Sequence, residues 1–253
     1  MAPIHSELRG SAGDVGLGEI SGREAADLPD DSGEIQYQAE LPDDSGEDRT
    51  VISDVTASSI EKSISTAEGI QELIERHPEK SEVLKGGLEA VTILNDPDAS
   101  PAELRSAQAK LSGLKGQLLE LAAKDALSDA GLTVTAKQHL VEGESGGTKP
   151  DIVAQNEGNA PVEVFGLTVQ PGETLSAECK CGSSLYIKGE LKDHIPNQLS
   201  GHQGHGLLIT TSDVLAGAAG LAEQVCDKYG ATLVVLGVGV NSVERAIKEV
   251  SEQ

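Results

Sequence analysis

The sequence predicts an α/β protein with a mixed central sheet flanked by helices. A helical hairpin or bundle and a disordered acidic tail come before the sheet. Three observations carry this reading. Apolar residues recur at helical spacing from about residue 55 to 130. After Gly131 the spacing changes to the two-residue alternation of strands. The last third alternates continuous apolar runs, "GLLITTS" and "ATLVVLGVG", with helical patterns, which is the mark of βαβα units.

Residues 1–52 read as the tail. They are rich in Gly, Ser, Asp and Glu, lack apolar periodicity, and repeat "LPDDSGE" at Leu28–Glu34 and Leu41–Glu47. Residues 53–112 read as the hairpin or bundle. Ser58 with Glu61 forms a capping-box pattern, and Ile60, Ile64, Ala67, Ile70, Leu73 and Ile74 follow at helical spacing. Pro78 starts a second helix. Ser100-Pro101-x-Glu103 starts a third, or two collinear ones, running to about Ala130 and stopping at Gly131. Residues 113–253 read as the sheet domain. "LTVTAKQHLV", "PDIVAQ", "PVEVFGLTV" and "TLSAECKC" are its strands, and "KDHIPNQLSGHQGH" is a helix or loop. Asp213 is placed to cap "VLAGAAGLAEQVCDKYG", and "NSVERAIKEV" closes the chain as a helix.

Charge excludes some functions. The 253 residues carry a net charge of -23. Residues 1–50 contribute -10, residues 51–150 contribute -6 and residues 151–253 contribute -7, so no segment is basic. That argues against binding nucleic acid through a broad cationic face. It is also the surface expected of a protein working at high salt, where charges are strongly screened. Aromatics are 2% of the chain, so the core must be aliphatic. Three cysteines make no disulfide framework. "MAPIHSELRG" has no apolar leader, and no apolar run reaches membrane-spanning length, so the expected location is cytoplasmic.

Within "LSAECKCGSS" two pairs compete for a chemical role. In a strand Glu178 and Lys180 share one face, and Cys179 and Cys181 share the other. Small apolar thiols suit a face packed on helices, which leaves the charged pair toward a cleft or solvent. Asp151 opens a strand 27 residues earlier, and adjacent strands would bring it to Glu178. Two close carboxylates repel unless a cation lies between them. Mg²⁺, or Mn²⁺ in its place, takes such oxygen ligands, and the Cys179 carbonyl could add another. Lys180 would then orient water and stabilise charge on phosphorus.

"KPD" at 149–151 followed by "ECK" at 178–180 resembles the PD-(D/E)XK, or restriction-endonuclease-like, nuclease superfamily. The resemblance covers roughly residues 113–240. It implies a restriction-endonuclease-like sheet and Mg²⁺-dependent hydrolysis of DNA phosphodiesters. It also implies an acidic metal-site residue on the helix before the sheet, where Glu120 stands, and a glutamine on the helix after the motif, where Gln198 stands. On this reading Glu120, Asp151, Glu178 and the Cys179 carbonyl hold the metal. Asp151, Glu178, Lys180 and Gln198 form the reacting site. Glu163 competes as the second acid if "VEVFG" pairs with the Asp151 strand. "GHGLLITTSDVLAGAAGLAEQV" is similar in layout to modification-dependent restriction enzymes.

Other readings stay open. Cys179 and Cys181 with His202 and His205 could hold zinc, although one residue between the cysteines is short for a zinc finger. The fold could serve as a non-catalytic interaction module, with the helical segment forming a homodimer or binding a protein partner. A leader followed by a nuclease domain also resembles polymorphic bacterial toxins.

Overall fold

The computed structural model describes residues 55–135, 141–143, 146–181, 184–202, 204–215 and 217–253. The tail expected over 1–52 lies outside them. Helices α1 (Val55–Ser65), α2 (Ala67–Arg76), α3 (Ser81–Leu94) and α4 (Pro101–Asp129) come first, with a 3-10 turn at Pro78–Lys80. The α4 start follows from its sequence. Ser100 Oγ accepts from Glu103 N at 3.3 Å, and Ser100 N donates to Glu103 Oε2 at 2.8 Å, closing a capping box. Its end is equally local. Gly131 adopts φ 103, its N–H donates to the Ser128 carbonyl at 2.9 Å, and Leu132 N donates to the Leu127 carbonyl at 3.0 Å. Only glycine takes that left-handed turn without strain.

Ser58 does not cap. α1 begins at Val55, and Glu61 reaches across the fold to accept from Gly237 N at 2.5 Å. Glu61 therefore satisfies a loop after the sheet rather than the start of its own helix.

The remaining elements are β1 (Thr133–Val134), β2 (Val141–Gly143), β3 (Gly146–Thr148), β4 (Ile152–Gln155), β5 (Val162–Val164), β6 (Leu167–Val169), β7 (Thr174–Lys180), α5 (Ser184–Glu190), α6 (His194–Ser200), β8 (His205–Thr211), α7 (Ala219–Tyr229), β9 (Ala231–Leu236) and α8 (Val240–Ser251). Five strands form one sheet in the order β1-β4-β7-β8-β9. β4 runs antiparallel to β1 and β7, whereas β7, β8 and β9 are parallel. The other two pairs, β2-β3 and β5-β6, are separate hairpins.

The β5-β6 hairpin decides one alternative. Val162–Val164 pairs with Leu167–Val169, not with β4, and Glu163 is exposed. Phe165 and Gly166 turn the chain with φ 51 and 71, as a two-residue hairpin loop of this hand requires. Phe165 accepts that conformation while its ring is buried in the core. Glu163 is therefore carried away from Asp151.

Strand alternation builds two apolar layers. Ile152, Ala154, Leu175, Ala177, Cys179, Leu207, Ile209, Val234 and Leu236 share one core with residues of α1 to α4 and α8. Leu208 belongs to a second core with Ile187, Ile195, Leu199, Ala222, Val225 and Cys226 of α5, α6 and α7, and with Leu191 just after α5. The helices expected as a separate bundle over 53–112 thus pack on the sheet itself. α4 runs unbroken across position 113, and Ile60, Ile64 and Leu111 lie in the same core as the strands. Burying both faces of a short-stranded sheet needs that many helices.

Asp213 departs from expectation as well. α7 starts only at Ala219. Asp213 accepts instead from Thr211 Oγ1 at 2.9 Å and from Val240 N at 2.7 Å, serving the first turn of α8. Among the described residues no helix is long and apolar enough to cross a membrane.

Candidate functional site

β7 runs through the middle of the sheet, so both its faces are covered. Leu175, Ala177 and Cys179 point into the core shared with α4, and Cys181 packs against it. Burial pushes the Cys179 thiol well above its ordinary range and Cys181 up to about 11. Both are protonated at neutral pH and chemically quiet. The alternate residues, Ser176, Glu178 and Lys180, take the face of α5, α6 and α7.

That face is closed more tightly than a cleft-facing pair requires. Glu178 is 2% exposed. Lys180 Nζ lies 2.6 Å from Glu178 Oε1 and 3.8 Å from Glu190 Oε2 at the end of α5. Asp151 immediately precedes β4. Ile152 pairs with Ala177, so the register carried one step further sets Asp151 opposite Glu178. The Asp151 carboxylate accepts from Cys179 N at 2.8 Å, extending the strand ladder with a side chain. In a strand a residue's N–H and C=O point to the same edge, so the Cys179 carbonyl also faces the β4 side.

Electrostatics mark this spot. Burial, and then the charge of Asp151, raises the Glu178 carboxyl to about 7, against the pull of Lys180. Asp151 is raised too, chiefly by burial, while the Cys179 N–H and Lys180 oppose the rise. Two carboxyls raised side by side, with an amine between one of them and a third acid, form a candidate acid–base or cation site.

Glu120 lies close enough to act on Asp151 by its charge, but it is ion-paired to Lys124 one turn along α4. Gln198 is not brought in. Its Nε2 meets His194 Nε2 at 3.1 Å on its own helix, α6, and its Oε1 is buried with no hydrogen-bond partner among the described residues. The zinc alternative separates as well. Both thiols face the α4 core, His202 Nε2 meets the Tyr229 carbonyl at 2.7 Å, and His205 pairs with Glu173 at 3.2 Å.

Two residues of this spot carry no signal in the motif. Glu190 reaches Lys180 from α5. Thr210, opposite Lys180 on β8, is fully buried. Beside Thr210 in the same row stands Val235 of β9, which is 39% exposed. Val235, on the edge strand β9, is thus left partly open on this face. The carboxyl ends of parallel strands are where open α/β sheets present their ligands.

A hard divalent cation can be tested against these groups. Glu178 Oε2 is buried and has no hydrogen-bond partner among the described residues. Asp151 and Glu178 repel each other, and a cation would relieve that. Mg²⁺ is often held by one or two carboxylates with waters completing its shell, which this pair fits. Among the described residues no cluster of three His, Cys, Asp or Glu side chains is disposed to hold a metal, so a full protein cage is not present.

No family model matches the chain, and neither a curated protein nor a solved structure does.

Proposed function

We propose that the protein is a divalent-cation-dependent phosphodiesterase of the PD-(D/E)XK kind, acting on DNA. One observation carries the reading. Glu178 on β7 is buried, half-buried Asp151 stands beside it just before the antiparallel β4, and both are raised in pKa, with Lys180 on Glu178. Two carboxylates withdrawn from water side by side repel each other unless a cation or a proton lies between them. The layout supports it further: a long helix before the sheet, Asp151 and Glu178 at paired strands, then helix, strand and helix.

Asp151 and Glu178 would hold Mg²⁺, which would draw negative charge from the phosphate oxygens. The Cys179 amide fixes the Asp151 carboxylate in place. Lys180 lies next to Glu178 and can place a cation against the developing charge on phosphorus. In the hydrolysis, a water oxygen bonds to phosphorus as the bond to the 3′ oxygen breaks. One water proton ends on that oxygen, leaving a 5′-phosphate and a 3′-hydroxyl. Purified protein should nick supercoiled DNA with Mg²⁺ and not with EDTA, and Glu178→Ala should remove the activity. Nicking by Glu178→Ala at the wild-type rate would refute the assignment.

A second reading rests on Lys180 being pinned between Glu178 and Glu190, in a chain without a basic segment. There the three form a structural ion cluster, and the fold serves as an interaction module. A titration calorimetry trace with no Mg²⁺ binding at millimolar concentration, joined to a stable protein complex, would favour it.

A further inference from the structure

Two polar atoms on the Glu178 face are buried without a hydrogen-bond partner among the described residues: Glu178 Oε2 and Thr210 Oγ1. Thr210 is 0% exposed and Glu178 2%. Leaving one such atom unsatisfied is costly, so two at one place call for a physical reason.

Their placement supplies one. β7 and β8 are parallel, with Glu178 opposite Leu208 and Lys180 opposite Thr210. Leu208 packs into the α5-α6-α7 core, so Thr210, two residues on, shares its face. Glu178 and Thr210 are therefore diagonal neighbours on adjacent strands. Strands lie about 4.8 Å apart and rise about 3.3 Å per residue, so the two positions stand roughly 8 Å apart along the diagonal. Both atoms lack a direct partner, and one water-sized molecule would serve both. A buried water needs two to four polar partners. Glu178 Oε2 accepts, the Thr210 hydroxyl donates or accepts, and Lys180 Nζ lies on the other oxygen of Glu178.

We propose that Glu178 Oε2 and Thr210 Oγ1 together seat one water-sized ligand at the carboxyl ends of β7 and β8. The role of that ligand rests on the hydrolase reading: it is the water poised for attack. The Thr210 hydroxyl donates to its oxygen, the Glu178 carboxylate takes one of its protons in a hydrogen bond, and a lone pair stays free. Thr210 is thus a positioning residue. Val235, half-open beside it, marks the side from which a substrate reaches this water.

The test uses the full chain, as wild type, Thr210→Val and Thr210→Ser. A metal-free crystal structure of the wild type should show one ordered water within hydrogen-bond distance of both atoms, and Thr210→Val should lose it. Thr210→Val should melt below wild type and Thr210→Ser close to it. In the nicking assay Thr210→Val should lose about tenfold or more in kcat with KM unchanged, and Thr210→Ser should recover most of that loss. No bridging water, or a Thr210→Val variant that melts above wild type, overturns the inference, because an orphaned hydroxyl is better replaced by a methyl. Wild-type protein that never nicks DNA overturns the hydrolase reading and the water's role. The water density and the melting order still decide whether the seat exists.

Discussion

Two lysines are withdrawn from water, one on each face of the sheet, and they behave differently. Lys115, on α4, is 5% exposed and pairs with Glu244 of α8, whose side chain is 39% exposed. Lys180, on β7, is 14% exposed and pairs with Glu178, at 3%, with Glu190 behind it at 21%. The first pair keeps one partner in solvent, so its acid is solvated whatever the lysine does. The second pair buries its acid beside another, half-buried acid, Asp151, and the Glu178 carboxyl rises to about 7. An ion pair by itself therefore marks no site here. The crowding of carboxylates behind the amine does.

The neighbours of each lysine say the same. The charge of Lys115 acts on Cys181, but burial outweighs it and holds the thiol at about 11, too high for a nucleophile. The charge of Lys180 acts on two acids whose carboxyls are raised, Glu178 and Asp151. The largest expected effect follows from this contrast. Lys180→Met should reduce Mg²⁺-dependent nicking at least 100-fold, about 2.7 kcal/mol of barrier, whereas Lys115→Met should leave the rate within a few-fold of wild type. Equal losses in the two variants would remove the distinction between the faces.

The next effect is in stability against pH. The Glu178 carboxyl is raised from 4.5 to about 7 by folding. A raised acid binds its proton more tightly folded than unfolded, so its contribution is full below pH 4.5 and is lost as pH rises through 7. That loss is about 3 kcal/mol, from 1.36 kcal/mol for each pKa unit. Asp151, raised as well, adds in the same direction. Urea unfolding of metal-free protein from pH 4.5 to 8 should show the fall. Glu178→Gln should flatten most of it. A slope that survives Glu178→Gln would mean that the strain lies elsewhere.

Much of this contrast is legible in the sequence. Alternation along Leu175–Cys181 separates the thiol face from the charged face without knowledge of the fold. Ser100-Pro101-x-Glu103 and Gly131 fix both ends of α4, because each signal acts within one turn of chain. The burial of Glu178 is not legible. It depends on β7 being central, which only the pairing with β4 and β8 decides. Thr210 and Glu190 are hidden for the same reason, since one reaches the site through parallel register and the other through the path of α5. Ser58 and Asp213 carry local capping patterns that tertiary partners override: α1 starts three residues before Ser58, and Asp213 serves α8.

A cation should act on one lysine's surroundings and not on the other's. At pH 8, Mg²⁺ bound between Asp151 and Glu178 would relieve their repulsion. Ligand linkage gives about 1.4 kcal/mol at ten times the dissociation constant. Thermal melts with and without Mg²⁺ should show that gain in wild type and in Lys115→Met, and not in Glu178→Gln. A gain of equal size in Glu178→Gln would place the cation away from this site.

The smallest effect isolates what the two faces share. α4 carries Lys115 into one core and Glu120 toward Asp151, so weakening the helix at its start should disturb stability without disturbing the site. Ser100→Ala removes the acceptor for Glu103 N and breaks the capping box, about 1 kcal/mol. Glu120 lies roughly five and a half turns from that end, and the first-turn defect falls off well before it. The variant should melt a few degrees lower, while its Mg²⁺ gain at pH 8 stays at the wild-type size. A Mg²⁺ gain that shrinks with the cap would tie the acid cluster to the stability of α4, and the two faces would then no longer be independent.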